Sequence, residues 1–139
     1  MNLTILKSKI HRATVTEANL YYEGSITIDK SLMNAANLLP YEQVHIFNLT
    51  NAERFITYVI EGERDTGVIC TNGAAAHCAR KGDTLIIVSF TQMSPEEASI
   101  FKPKLVYVNP KNIQVEAELI DGKLVKLLGW NLTNLLKLK

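Results

Sequence analysis

The sequence predicts a mainly β protein, a closed or nearly closed β-barrel with a few short helices. Three observations lead there. Short runs rich in Ile, Val, Thr and aromatics recur along the chain, tight turns separate them, and closing such a sheet removes its exposed edges. The 139 residues suffice for a single domain, 1–139, with its own core. No repeat or linker divides roughly the first 115 residues.

The strands come in order. Ile10–Val15 and Ser25–Ile28 are rich in Ile, Val and Thr, and Val44–Leu49 alternates around His45 and Asn48. Arg54–Ile60 is a β-branched and aromatic run too short for a typical helix. Thr84–Phe90 is continuously apolar, which predicts a central strand buried on both faces. Leu105–Val108 and Ile113–Val115 are shorter candidates.

Helices are few. Ser31 caps an expected helix over Leu32–Leu39, which Pro40 stops. Ser94-Pro95-Glu96-Glu97 carries a stronger start, with Ser94 as cap, Pro95 in the first turn and Glu97 completing a capping box. Asn72-Gly73-Ala74-Ala75-Ala76 begins as a turn and continues as one helical turn. Beyond 115 the chain changes character: Asp121-Gly122 is a hairpin-type turn within a leucine-rich tail, 116–139, whose spacing is partly helical. That tail is expected either to pack on a neighbouring subunit or to be a disordered appendage.

Composition excludes several classes. Fifteen Lys+Arg against 14 Asp+Glu leave a formal charge of +1, with the basic residues spread out. This argues against nucleic acid or an anionic membrane as partner. No apolar run approaches the roughly 20 residues of a membrane span. Lys7 and Lys9 interrupt the N-terminal apolar stretch and no cleavage site follows, so a cytoplasmic location is expected. Cys70 and Cys78, beside His77, lack a second Cys/His cluster, so they are expected to be reduced thiols rather than metal ligands. Asn-Leu-Thr at Asn2, Asn48 and Asn131 is expected to be chance.

The glycine-rich phosphate loops, zinc signatures and nucleophile elbows are missing. His11, His45 and His77 are scattered, as structural or surface histidines are. More informative is Tyr21-Tyr22-Glu23-Gly24-Ser25-Ile26-Thr27, although a Gly-Ser pair entering a strand is by itself an ordinary turn. Ser8–Thr16 precedes it, Arg54–Tyr58 follows, and Asn72–His77 comes later. These four segments, in one order and spacing over roughly residues 1–115, resemble the bacterial pyruvoyl-dependent aspartate 1-decarboxylases.

That resemblance implies a double-psi β-barrel assembled as a homotetramer, with active sites near subunit boundaries. It also implies an inactive precursor that cuts its own Gly24–Ser25 bond into residues 1–24 and 25–139. Ser25 would become a covalently bound pyruvoyl group that takes L-aspartate as a Schiff base, with no metal and no pyridoxal phosphate. The product would be β-alanine, with carbon dioxide released, for pantothenate and coenzyme A biosynthesis. A maturation helper is a possible further partner.

By the same resemblance, Gly24, Ser25, Thr57, Tyr22 and Asn72 serve processing, and Tyr58 is the proton donor. Thr57, Gly73, Ala74, Ala75, Arg54 and Lys9 bind substrate. The residues suit these tasks. Gly24 lacks a Cβ and tolerates a strained peptide, and the Ser25 hydroxyl can attack the Gly24 carbonyl. Arg54 offers a planar fork for a carboxylate. On an ideal strand Arg54, Ile56 and Tyr58 share one face and Thr57 points to the other, unless a bulge or subunit boundary intervenes. Two further readings stay open: a non-enzymatic binding module with an ordinary Gly-Ser turn, and the same chemistry on another acidic amino acid.

Overall fold

The computed structural model describes residues 1–121, 123–127 and 130–131. Nine strands join in one sheet: β1 (Leu3–Thr14), β2 (Glu17–Asn19), β3 (Ser25–Asp29), β4 (Gln43–Asn48), β5 (Arg54–Gly62), β6 (Ile69–Asn72), β7 (Thr84–Met93), β8 (Lys104–Val108) and β9 (Gln114–Val115). Their order across the sheet is β2-β6-β3-β5-β4-β7-β1-β8-β9. The β2–β6, β3–β5 and β1–β8 pairs are parallel and the other neighbours antiparallel. Three short helices interrupt them, α1 (Lys30–Ala35), α2 (Ala75–Cys78) and α3 (Pro95–Ile100). The chain is mainly β, as its sequence predicts.

One face of the sheet carries the core. Ile10, Ile26, Val44, Ile46, Val59 and Leu85 are all fully buried there, each contributing about 1.5–3 kcal/mol of transfer free energy. Asn112, between β8 and β9, links distant parts of the sheet. Its Nδ2 donates to the carbonyls of Thr14, at the end of β1, and Gly67, ahead of β6, both at 2.8 Å. Its Oδ1 accepts the Thr14 amide at 2.8 Å. These bonds draw the β6 side of the sheet toward its β8 side, as closing a barrel requires.

Several elements differ from the sequence expectation for identifiable reasons. β1 begins at Leu3 rather than Ile10, because Lys7 within it is neutralised by Glu42 at 2.8 Å. Two other strands, β2 and β6, are too short and mixed in composition to announce themselves. Thr84–Phe90 is central, between β4 and β1, but not buried on both faces: Ile86 is half-buried and Phe90 exposed.

Helix α1 is capped by Asp29, whose Oδ1 accepts the Ser31 amide at 2.8 Å, and not by Ser31. It ends at Ala35 rather than Leu39, with Asn37 in the left-handed region at φ 56°. The capping box of α3 is present as read, Ser94 Oγ accepting the Glu97 amide and Glu97 Oε1 accepting the Ser94 amide.

In the tail, β10 (Ala117–Ile120), β11 (Lys123–Leu127) and β12 (Trp130–Asn131) form a separate three-stranded antiparallel sheet. The hairpin expected around Asp121 is there, and Lys123–Leu127 is strand, not helix. Gly122, 128–129 and 132–139 lie outside the described residues.

Candidate active site

Ser25 opens β3 and is buried at 3% exposure. Alternation sends Ile26 and Ile28 into the core and turns Ser25 and Thr27 to the opposite face. The antiparallel β3–β6 register sets Ser25 against Asn72 and Thr27 against Cys70. Asn72, itself buried, donates through Nδ2 to Ser25 Oγ and to Thr27 Oγ1, both at 3.0 Å. Ser25 Oγ in turn donates to the Glu23 carbonyl at 3.1 Å. Cys70 Sγ donates to Asn72 Oδ1 at 3.2 Å. Four side chains on two strands thus form one cluster with Asn72 at its centre, bonded to each of the other three.

The segment that leads into Ser25 is shaped by Gly73. Gly73 has φ +61°, and a Cβ there would meet the Tyr22 carbonyl oxygen at 2.5 Å and Gly24 N at 2.7 Å. Only a glycine lets the 22–24 backbone come this close. Gly24 does not need its own freedom in the same way. It is not among the residues of positive φ, and a Cβ on it would meet nothing within 4 Å. The left-handed backbone and the crowding therefore both sit on Gly73. Ala74 is exposed and Ala75 buried where α2 begins, and the first amides of a helix have no intrahelical acceptor. Tyr22 is 64% exposed, so its contribution to the cluster is its backbone.

β5 supplies the next neighbours. It runs parallel to β3 with Val59 level with Ile26, so one step back Tyr58 stands level with Ser25 and on the same face. Tyr58 is half-buried, its ring 6.5 Å from that of Tyr41. Thr57 points to the other face, opposite Val44, as strict alternation requires.

Arg54 and Lys9 are not brought to Ser25 within one chain. Arg54 is four residues from Tyr58, about 13 Å along the strand, and its guanidinium lies 4.2 Å over the Phe47 ring. Register places Arg54, Phe47, Ile86 and His11 in one row across β5, β4, β7 and β1. Ile56, His45, Val88 and Lys9 form the adjacent row. Arg54 and Lys9 thus flank an apolar floor, three strands or about 14 Å apart, on the face that Tyr58 shares. A cavity of about 450 Å³ opens beside Arg54, Phe47 and Ile86.

His11 sits next to this floor, edge-on to Tyr107 at 5.5 Å, its Nδ1 buried without a hydrogen-bond partner. Burial, with the charges of Lys9 and Arg12, pushes its pKa down to about 4. It is a neutral imidazole near pH 7. Cys70 and Thr27 are the site residues that sequence reasoning missed. Their signal was period-two placement beside Asn72 and Ser25, visible only once β6 is known to be a strand. Both cysteines are free, and no group of metal-binding side chains occurs among the described residues.

A mainly β fold with a buried serine at a strand entrance, hydrogen-bonded to an asparagine and level with a tyrosine, defines a candidate enzyme built around Ser25. Comparison with known proteins makes this specific. The profile of the family described as aspartate decarboxylase matches residues 1–115. Aspartate 1-decarboxylase of Clostridium acetobutylicum is 58% identical over 112 residues, covering 81% of this chain and 88% of that one. The enzyme of the same name from Syntrophus aciditrophicus is 59% identical, covering 81% and 97%. That from Dehalococcoides mccartyi is 58% identical over 108 residues, covering 78% and 87%. The chain belongs to the aspartate decarboxylase family.

Proposed function

We propose that this chain cleaves itself between Gly24 and Ser25 and then decarboxylates L-aspartate to β-alanine and carbon dioxide. The observation that carries the reading is the placement of Ser25: buried, held by Asn72, and level with Tyr58. In the cleavage, Ser25 Oγ bonds to the Gly24 carbonyl carbon as the C–N bond breaks, which turns the amide into an ester and frees the Ser25 amine. Loss of the Ser25 Cα proton then breaks the Cβ–Oγ bond and releases the Gly24 carboxylate. One water replaces the nitrogen, which leaves as ammonia. A pyruvoyl group remains at the new terminus.

The surroundings fit that group, because Asn72 Nδ2 already donates to the Ser25 position and is itself held by Thr27 Oγ1. The group supplies an electron sink that none of the twenty side chains offers. The rest falls to the chain's own residues. Tyr58, on the same face, delivers a proton to the substrate carbon that loses its carboxylate. Gly73, Ala74 and Ala75 bring small residues to the substrate. The Gly73 amide is taken by the Asn19 carbonyl at 2.7 Å, so the amides come from Ala74 and Ala75. Thr57 donates toward the Gly24 end during cleavage.

Arg54 and Lys9 hold the substrate carboxylates. Because both lie far from Ser25 in one chain, they serve the site of a second copy, which makes each site a boundary between subunits. The outer face supports such contacts: Ile56 is 58% exposed and Leu105 41%, and Phe47 and Ile86 in the adjacent row are half-buried. The assembly is a cytoplasmic homotetramer that serves pantothenate and coenzyme A biosynthesis.

An intact-mass spectrum of the purified protein tests the cleavage. The expected result is two fragments, 1–24 and 25–139, the second lighter by one ammonia than simple hydrolysis would leave. Ser25→Ala should stay a single chain and release no carbon dioxide from aspartate. Normal turnover by that variant would sink the mechanism. Turnover of glutamate at the rate of aspartate would instead revise the substrate.

A further inference from the structure

The amide of Asn72 has two ways to sit, and only one of them suits Ser25. With Nδ2 toward Ser25, an N–H supports the negative charge that grows on Oγ as the hydroxyl attacks. Turned over, the amide would present a carbonyl oxygen to that same charge. Thr27 does not decide between the two, because a hydroxyl both donates and accepts. On the other side of the amide stands Cys70, two residues back on β6 and on the same face. A thiol donates in this position and is a poor acceptor for an N–H.

We propose that Cys70, by donating to Asn72 Oδ1, fixes the amide with its N–H toward Ser25 and so acts as a positioning residue for self-cleavage. The inference rests on the cleavage reading above. Three observations carry it. The Sγ–Oδ1 distance is 3.2 Å with both residues buried, so water does not compete for the carboxamide oxygen. Cys70 lies against Thr27 across β3–β6 and against Glu17 across β2–β6, so strands on both sides hold it in place. Burial and the Glu17 carboxylate also push the thiol up, which keeps its proton in place to be donated.

Three variants of the full chain separate donation from packing. Cys70→Ser keeps a donor in a slightly smaller side chain, Cys70→Val fills the space without a donor, and Cys70→Ala removes both. Cleavage is followed by intact-mass spectrometry from the moment of purification, with thermal melting alongside. The expected result is cleavage roughly fivefold slower in Cys70→Val and Cys70→Ala, as loss of one weak hydrogen bond predicts. Cys70→Ser should fall between the parent and Cys70→Val, because its hydroxyl can donate to Asn72 Oδ1 but can also accept from a turned-over amide. Cys70→Val cleaving at the parent rate, or Cys70→Ser slower than Cys70→Val, would overturn the positioning role while self-cleavage stands.

A second readout does not depend on cleavage. In the Ser25→Ala background, the Asn72 side-chain amide resonances should shift with Cys70→Val and shift less with Cys70→Ser. Unmoved resonances with Cys70→Val would overturn the contact. A parent chain that never cleaves would instead overturn the cleavage reading.

Discussion

Replacing Gly73 by Ala tests the crowding around the Ser25 entrance, and Gly24→Ala is its control. At Gly73 two costs add. A Cβ at φ +61° costs about 1 kcal/mol relative to glycine. It would also stand 2.5 Å from the Tyr22 oxygen, 2.7 Å from Gly24 N and 2.9 Å from Gly24 Cα, all backbone atoms that cannot swing aside. Forced displacement of this kind costs roughly 1–3 kcal/mol more. The sum, about 2–4 kcal/mol, corresponds to a melting point roughly 6–15 °C lower in a domain of this size. At Gly24 the same methyl meets nothing within 4 Å and the backbone is not left-handed. Gly24→Ala should therefore melt within about 3 °C of its parent. Both changes belong in a Ser25→Ala background, so that an unprocessed chain is melted each time, by circular dichroism. Gly73→Ala melting with its parent, or Gly24→Ala falling as far as Gly73→Ala, would refute the geometry.

Asp29→Ala should destabilise the fold by about 2–4 kcal/mol in a denaturant titration, because a buried carboxylate there accepts three amides. Acid should weaken the protein in two steps. His11 has its pKa near 4 in the fold against 6.5 unfolded, so the unfolded chain binds more protons between these values. Its contribution is complete above pH 6.5 and lost as pH falls toward 4, about 1–2 kcal/mol once solvent screening is allowed for. His11→Phe should flatten that part of the stability profile; an unchanged slope would discount the histidine. Burial raises the Glu42 carboxyl, but bonds from Lys7, Ser89 and the Leu39 amide outweigh this and hold it low. Its contribution is therefore lost further down, as pH falls below 4.5. Tyr58→Phe should still cleave at Gly24–Ser25, yet turn aspartate over roughly 10²–10⁴-fold more slowly, as expected for loss of a general acid.

Much of this was legible because the informative segments obey local rules. Arg54–Ile60 could be read as a strand from β-branching alone, and Ser94 with Glu97 specified a helix start that the structure reproduces atom for atom. Ser31 failed as a cap for an equally local reason. Asp29, two residues earlier, is an acceptor for the Ser31, Asp65 and Gly67 amides together, and two of those three are remote in sequence. Strands β2 and β6 were illegible because nothing in Glu-Ala-Asn or Ile-Cys-Thr-Asn marks a strand outside its sheet. With β6 unseen, the pairing of Cys70 with Thr27 and Asn72 could not be seen either. Gly24 and Gly73 show the same limit. Only the fold reveals which of two glycines is crowded by the other's backbone.

Thr57 and Tyr58 pose a question that alternation alone makes look like a contradiction. Adjacent residues on one strand point to opposite faces, yet both are proposed to serve one serine. The parallel register removes the conflict. Tyr58 stands level with Ser25, on the face where the Ser25 hydroxyl meets Asn72. Thr57 is one step back toward the Gly24 end and shares the face of Val59 and Val44. A peptide bond has substituents on both sides of its strand, and the two proposed tasks fall on different sides of it. The donor needed during cleavage acts at the Gly24 carbonyl; the proton needed during turnover arrives where the Ser25 side chain was. No bulge in β5 is required: through Thr57 and Tyr58 its pairing with β4 runs from Arg54 to Tyr58 without a register shift. Two consecutive residues of one regular strand can therefore divide processing from turnover. Thr57→Ala should slow cleavage of the precursor, whereas Tyr58→Phe should spare cleavage and slow turnover. If Thr57→Ala cleaved at the parent rate, the division of labour would fail at its first step.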